Sequence, residues 1–171
     1  MNKGFTLLES LVAIFFLTTG IAGAFILVNQ TAVSSQLIES RLEAVYLAQE
    51  GIEFVRNARD ANFLKIYNGT ASDWLEGLRD CQAGCERDYD DSAFTPFSSQ
   101  YLKVNGGFYG YDSGENTVFK RKIIISEFTE LDDPPDGIDD RIKVSVEVSW
   151  SERGSPHKII LQDYIYKWWQ E

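Results

Sequence analysis

The chain has 171 residues, of which 44% are hydrophobic, 13% aromatic and 25% charged. This composition allows one ordinary domain plus an additional element, and it argues against a disordered chain because it provides enough apolar surface to bury. The formal net charge is −10, which argues against nucleic acid as the main partner, since binding to a phosphate backbone needs clustered Lys and Arg side chains.

The first predicted element is a long apolar helix. Glu9 is the only ionisable residue between Phe5 and Val28, and about 20 apolar residues allow a helix to cross the hydrocarbon core of a membrane. Residues 5–28 are therefore predicted to form a transmembrane helix. Lys3 precedes this segment, which predicts a cytoplasmic N-terminus and an outward-facing remainder. A secretory signal peptide is the less favoured alternative, because its apolar run is shorter and no A-x-A cleavage site follows here.

Glu9 is unusual because it carries a carboxylate at the start of this apolar segment. An unpaired charge inside the hydrocarbon costs at least about 2.5 kcal/mol, and intramembrane acids are usually functional. Two interpretations follow. In the first, the side chain reaches into the headgroup region. In the second, it pairs with a cation, such as the ammonium that a cut between Gly4 and Phe5 would create on a neighbouring copy.

The sequence GFTLLESLVAIFFL resembles the N-terminus of the type IV pilin and pseudopilin family. That pattern is a short basic leader ending in Gly, then Phe, then Glu at the fifth mature position, and Glu9 is fifth when Phe5 is counted as first. The resemblance implies that a prepilin peptidase removes the leader, residues 1–4, by cutting after Gly4. It also implies that the Phe5 amine is methylated and that Glu9 pairs with this amine on an adjacent subunit. The leader has only one Lys, a mild departure, and the run LVAIFFLTTGIAGAF is most similar to PilV-like minor pilins.

The helical pattern continues beyond the apolar segment, so residues 29–60 are predicted to form an amphipathic helix that packs one face against a domain. Gly20 and Gly23 are explained either by close helix contacts in the membrane or by a segment that stretches on assembly. Gly51 has no explanation in the sequence. The predicted apolar stripe, at steps of three and four residues, is Ile38, Leu42, Val45, Ala48, Ile52 and Val55.

Residues 61–100 are predicted to be an irregular connecting loop that contains both cysteines, Cys81 and Cys85. Two thiolates and one distant histidine, His157, do not complete a four-ligand zinc site. A redox pair would normally have the C-x-x-C spacing. An outward-facing location therefore favours a disulfide between Cys81 and Cys85, which closes a short loop and is expected to add little to global stability.

From residue 101 the pattern changes to the alternation that is typical of strands. The segments TVFKRKIIISEF and RIKVSVEVSW are the clearest strands, and Asn105-Gly106-Gly107 is a hairpin signal. Residues 101–171 are predicted to form an antiparallel sheet of about four strands. The expected fold class is α+β, with a long N-terminal helix packed on a C-terminal antiparallel sheet. The resemblance implies the pilin version of this architecture, and the last hairpin also resembles that of minor pilins.

The remaining candidate sites are weaker. An acidic loop contains hard oxygen ligands of the kind that calcium binds, but a solvated connection whose Pro and Gly residues suit a turn is the favoured interpretation. Asn29-Gln30-Thr31 and Asn68-Gly69-Thr70 match the N-glycosylation tripeptide. No nucleophile can be assigned to His157, so the chain is not expected to be an enzyme. The possible calcium ligands are Asp132, Asp133, Asp136 and Asp139.

The expected function is that of a structural subunit, minor or major, of a type IV pilus. The resemblance implies storage in the cytoplasmic (inner) membrane, then assembly into an extracellular filament for adhesion, motility or DNA uptake. Residues 29–171 would form the periplasmic or extracellular head. The implied partners are other pilin subunits, prepilin peptidase, an inner-membrane assembly platform and membrane lipid. One alternative is a pseudopilin of a type II secretion or competence piston. Another is a single-pass membrane-anchored enzyme or sensor, which the missing catalytic constellation disfavours.

Overall fold

The computed structural model describes residues 6–71, 73–127 and 141–168, in which a long α-helix precedes two β-sheets. Helix α1 spans Leu7–Tyr67, and a short 3-10 helix spans Arg79–Gln82. The chain divides into two compact units, Met1–Ser40 and Arg41–Glu171. The predicted α+β class, with a long apolar N-terminal helix and an antiparallel sheet, is confirmed.

Eight strands are present in the described part of the chain, and every pairing between them is antiparallel. The main sheet has the strand order β2-β1-β6-β7-β8, and a smaller sheet has the order β4-β3-β5. Strand β7 is central in the longest part of the main sheet, where Val146 pairs with Ile123 of β6 and with Leu161 of β8. The strands are β1 Cys85–Glu86, β2 Thr95–Pro96, β3 Lys103–Asn105, β4 Phe108–Gly110, β5 Glu115–Asn116, β6 Lys120–Glu127, β7 Arg141–Glu152 and β8 Ser155–Tyr166.

The core of the second unit lies between the main sheet and the part of α1 that follows residue 40. Alternate side chains of β7 are buried, as the sequence pattern predicts, because successive residues of a strand point to opposite faces. The β7–β8 hairpin turns tightly at Arg153 and Gly154, whose φ angles are 51° and 80°. The buried side chains of β7 are Ile142, Val144, Val146, Val148 and Trp150.

The buried stripe of α1 includes Ala48, Ile52 and Val55 of the predicted stripe but is offset from it at the N-terminal end. Leu42 and Val45 are 54% and 36% exposed, so the prediction that these two residues pack on a domain is wrong within the single chain. Three of the buried positions are Ala or Gly, which allow the helix axis to approach the sheet. Sequence periodicity misses this offset, because a neighbouring stripe of smaller residues satisfies the same helical steps. The buried residues are Ala44, Leu47, Ala48, Gly51, Ile52, Val55, Asn62 and Phe63.

Gly51 lies where the helix backbone directly faces side chains of the sheet. A Cβ atom at this position would lie 2.8 Å from Cγ1 of Val146 and 3.3 Å from Cδ of Arg121. Val146 is fully buried in the middle of β7, so its side chain has little room to move. The glycine that sequence analysis leaves unexplained is therefore a requirement of helix–sheet contact.

Arg121 of β6 is a fully buried cation on the face of the sheet that α1 covers. Its Nη1 donates to the carbonyl oxygen of Leu47 at 3.3 Å and to Oε2 of Glu50 at 2.5 Å. Its Nη2 donates to the carbonyl oxygen of Arg87 at 2.7 Å. The guanidinium carbon also lies 4.9 Å from the ring centre of Phe54. One side chain therefore joins the sheet, the helix and the loop that follows β1.

The smaller sheet is connected to α1 through Tyr109 of β4. The Tyr109 hydroxyl donates to Oε1 of Glu43. Burial, together with the carboxylate of Glu43, raises the pKa of Tyr109 to about 12. The phenol therefore stays protonated and able to donate throughout the physiological range.

The segment predicted as a loop, residues 61–100, is more ordered than expected. Helix α1 continues to Tyr67, and the buried amide of Asn62 donates to the carbonyl oxygens of Trp74 and Glu76 at 3.1 and 2.8 Å. Strands β1 and β2 lie in this segment and extend the main sheet. Each has two residues, too few to display a period, so only contacts with distant residues define them. Residues 101–171 do not form one sheet, because β3, β4 and β5 pair separately.

Replacing Gly51 with Ala is expected to destabilise the protein by about 1–3 kcal/mol, the range for overpacking a tight core. The helix-propensity gain of about 1 kcal/mol would be smaller than the clash with Val146. Urea unfolding of the detergent-solubilised chain, followed by tryptophan fluorescence, measures the change. Asn57→Ala, at an exposed position of the same helix, is the control and should be neutral or slightly stabilising. A Gly51→Ala protein as stable as wild type would show that the helix can move away from the sheet.

Replacing Arg121 with Met should destabilise the protein by about 3 kcal/mol, because the Glu50 carboxylate and the carbonyl oxygens of Leu47 and Arg87 lose their donor. Thermal unfolding monitored by circular dichroism provides the measurement. Lys158→Met is the control, since Lys158 is a largely exposed cation 3.4 Å from Glu147, and such surface pairs contribute at most about 1 kcal/mol. Equal shifts in the two variants would contradict the importance of the buried guanidinium.

Candidate functional site

Helix α1 begins with a side-chain cap at Thr6. The backbone N–H of Glu9 donates to Oγ1 of Thr6 at 3.3 Å, and the N–H of Ser10 donates to the carbonyl oxygen of Thr6 at 3.1 Å. Thr6 and Glu9 have the T-x-x-E spacing of a capping box, in which a hydroxyl satisfies an N–H of the first turn. Sequence analysis missed this function of Thr6, although T-x-x-E before an apolar run is a recognisable signal.

Glu9 lies in the first turn of α1, where its side chain is exposed. A helix N-terminus has a partial positive charge, so a carboxylate there gains about 0.3–1 kcal/mol. The helix end therefore offsets part of the cost of a charge next to an apolar segment. Gly4 and Phe5, the predicted cleavage and methylation positions, lie outside the described residues.

The helix carries no charged residue between Ser10 and Ile38, and no side chain in the described part of this segment is buried. Leu11, Phe16 and Phe25, for example, are 61%, 69% and 69% exposed. Helix α1 is long and apolar enough to cross a membrane, which agrees with the predicted single span.

Polar side chains inside the apolar segment are satisfied by the helix itself. Thr18 and Thr19 both donate to the carbonyl oxygen of Phe15, at 3.0 and 2.8 Å. Asn29 and Thr31 donate to carbonyl oxygens four residues earlier, at 3.0 and 2.9 Å. Hydrocarbon offers no hydrogen-bonding partners, so the internal bonds of Thr18 and Thr19 allow these two residues to lie at membrane depth.

Gly20 and Gly23 have open space beside them. A Cβ atom at either position would meet no atom of this chain within 4 Å. Unlike Gly51, these glycines are not required by packing within the single chain. They leave a narrow surface on the helix that another helix can approach closely.

The second unit contains a disulfide between Cys81 and Cys85, with a Cα–Cα distance of 5.0 Å. Both residues belong to the hydrophobic core, with exposures of 0% and 3%. Cys85 begins β1 and pairs with Ile123 of β6. The bridge therefore joins the 3-10 helix to the main sheet inside the core, which goes beyond fixing a surface turn.

The metal-site prediction concerns residues that the structure does not describe. Asp132, Asp133, Asp136 and Asp139 all lie outside the described residues. Within the ranges 6–71, 73–127 and 141–168, no group of three or more His, Cys, Asp or Glu side chains is arranged to hold a metal ion. His157 stacks on Trp150, with ring centres 5.4 Å apart.

A separate acidic cluster forms around Asp88, which is buried. Burial raises the pKa of Asp88, but hydrogen bonds from the N–H groups of Tyr111 and Asp91 outweigh burial and leave it below its usual value. A hydrogen bond with Asp88 raises the pKa of Asp90, and burial raises that of Asp91. Because backbone donors occupy Asp88, we interpret this cluster as part of a turn.

Comparisons of this chain with protein-family models, curated proteins and solved structures give no match. The functional conclusion therefore rests on the capped helix start, on Glu9 and on the uncharged segment that follows.

Replacing both cysteines with Ala should reduce the free energy of unfolding by about 2 kcal/mol, the loop-entropy value for so short a closed loop. The fold should survive, because β6, β7 and β8 do not depend on the bridge. Urea unfolding measures the loss, and hydrogen exchange at the Phe97 amide, which donates to Gly84, should become faster than exchange in β7. Gln82→Ala, at an exposed neighbouring position, is the control. Unchanged exchange at Phe97 would show that the bridge does not hold β1 in place.

Proposed function

We propose that this chain is a structural subunit of a type IV pilus. Its N-terminal helix is stored in the cytoplasmic membrane and later packs against the helices of sister subunits in an extracellular filament. The observation that carries this proposal is a capped helix with one carboxylate in its first turn, followed by an uncharged segment that is exposed on all sides. The resemblance of GFTLLESLVAIFFL to prepilin segments gives the proposal its specific form.

The uncharged segment of α1, between Ser10 and Ile38, exposes apolar side chains on every face, and these must be shielded from water. A helix that is apolar all round is stable only in lipid or among other helices. In the proposed cycle lipid covers it before assembly, and neighbouring subunits cover it in the filament. The open surfaces at Gly20 and Gly23 support close approach by a second helix, because backbones pack closely where small residues meet.

Glu9 sets the axial position of each subunit in this proposal. Near the membrane surface its cost is modest, and the helix N-terminus reduces that cost further. Inside a bundle of apolar helices the cost rises. Prepilin peptidase would expose an ammonium on Phe5, and this ammonium on a neighbour would neutralise Glu9 only at the correct axial offset. A buried charge pair of this kind mainly fixes register, with little net stability of its own.

The second unit supports the same proposal in a different way. A disulfide is expected where the chain is exported, since cytoplasmic thiols are kept reduced. The Cys81–Cys85 bridge therefore agrees with an outward-facing head and a cytoplasmic N-terminus. The work of this head would be mechanical and adhesive.

Glu9→Gln is the decisive variant for this proposal. It should be cleaved and inserted normally, but it should enter filaments at least about tenfold less than wild type, the factor that 1.4 kcal/mol gives. Wild-type and variant chains would be co-expressed, and both would be counted by mass spectrometry in sheared filaments and in membranes. Thr6→Ala is the matched control, because it removes the capping hydroxyl, at about 1 kcal/mol, and keeps the carboxylate. It should enter filaments nearly as well as wild type.

Two outcomes would contradict the proposal. Equal incorporation of Glu9→Gln and wild type would restrict the Glu9 carboxylate to interacting with the helix N-terminus or with the headgroup region. Retention of residues 1–4 in mature wild-type protein, without any filament, would instead indicate an uncleaved membrane anchor.

A further inference from the structure

The structure distinguishes the two N-glycosylation tripeptides of this chain. Asn29-Gln30-Thr31 lies inside α1, where the backbone is helical. The Asn29 amide donates to the carbonyl oxygen of Phe25 at 3.0 Å, and the Thr31 hydroxyl donates to that of Leu27 at 2.9 Å. Both polar groups are engaged by the backbone of a continuous helix, directly after the predicted transmembrane residues 5–28. This tripeptide is therefore unsuited to an enzyme that must bind an extended acceptor peptide outside the membrane.

Asn68-Gly69-Thr70 lies immediately after α1 ends at Tyr67, and all three of its residues are exposed. Gly69 has a φ of 70°, and a Cβ atom there would meet nothing within 4 Å. Among the described residues, the side-chain amide of Asn68 has no hydrogen-bond partner. The tripeptide therefore forms an exposed surface turn, the setting that N-glycosylation requires.

We propose that Asn68 is an N-glycosylation site and that Asn29 is not. The donor class is a lipid-pyrophosphate-linked oligosaccharide outside the cytoplasm. The side-chain nitrogen of Asn68 attacks the anomeric carbon of the sugar, forming the N–C bond while the C–O bond to pyrophosphate breaks. The lipid pyrophosphate leaves, and the amide nitrogen loses one proton to a base of the transferase. This inference rests on the outward-facing head of the proposed function.

The turn can open to admit a transferase at low cost. The Thr70 hydroxyl and N–H both reach the carbonyl oxygen of Lys65, at 3.0 and 2.9 Å, and the Gly69 N–H donates to Ile66. These bonds belong to the last turn of a helix, the part that frays most readily. Leu64 and Tyr67 are 64% and 75% exposed beside the acceptor, so a glycan on Asn68 would cover apolar surface.

The test uses the full chain, purified from the membranes and filaments of its own cells. Trypsin cleaves after Lys65 and Arg79, so Asn68 lies in the peptide formed by residues 66–79. Tandem mass spectrometry should find this peptide with an added oligosaccharide mass on Asn68. The added mass should disappear in Asn68→Gln and in Thr70→Val. It should persist in Thr70→Ser, which keeps the hydroxyl of the tripeptide. Thr31→Val is the matched control at the other tripeptide and should leave the modification unchanged.

Results that contradict glycosylation of Asn68 can be distinguished from results that contradict the pilus proposal. Resistance of Cys81 and Cys85 to alkylation in denaturant without reductant reports export independently, because unfolding exposes both residues and only the disulfide then protects them. Exported chain with an unmodified peptide 66–79 would overturn the inference, as would a glycan on Asn29 or one that persists in Thr70→Val. A glycan on Asn68 of a chain that keeps residues 1–4 and forms no filament would support the inference while refuting the pilus assignment.

Discussion

The buried guanidinium of Arg121 is the constraint on which the arrangement of the second unit depends. A buried charge is tolerated only when it is paired and hydrogen-bonded, and the partners of Nη1 and Nη2 lie on two different segments: Leu47 and Glu50 on the helix and Arg87 after β1. Sliding the helix along the sheet would break these bonds together. The cation therefore specifies one helix position, whereas apolar packing alone would accept several.

Other features of the core are consistent with this single position of α1 along the main sheet. Gly51 allows the close approach that brings the backbone of Leu47 within reach of Arg121. Asn62, further along the helix, is a second buried donor that connects separate segments, because its side-chain amide donates to the carbonyl oxygens of Trp74 and Glu76. The disulfide then joins the 3-10 helix to β1. Polar groups thus fix the register of surfaces whose burial supplies most of the stability.

The sequence predicts those parts of the molecule whose signal is local. The uncharged helix, the alternation in β7 and the pairing of the only two cysteines are readable because each depends on nearby residues. The start of the buried stripe of α1 is not readable, since Leu42 and Ala44 are both compatible with a helical period and only the sheet selects between them. Arg121 is the middle one of three consecutive cations in the segment FKRKIII, and nothing local marks it as buried. At the candidate site, Glu9 is recognisable by its charge. The Thr6 cap depends on one residue and its spacing to Glu9, and it is easily overlooked beside the long apolar run.

The two threonines that share the carbonyl oxygen of Phe15 have a consequence for how the apolar helix responds to tension. When a helix is pulled, a carbonyl that loses its main-chain N–H normally becomes an unpaired acceptor, which is costly in a dry environment. The Phe15 oxygen would keep the hydroxyl donors of Thr18 and Thr19. Gly20 and Gly23 follow at once and give the backbone additional conformational freedom. This stretch therefore combines spare donors with a permissive backbone, the properties of an elastic element inside an otherwise regular helix.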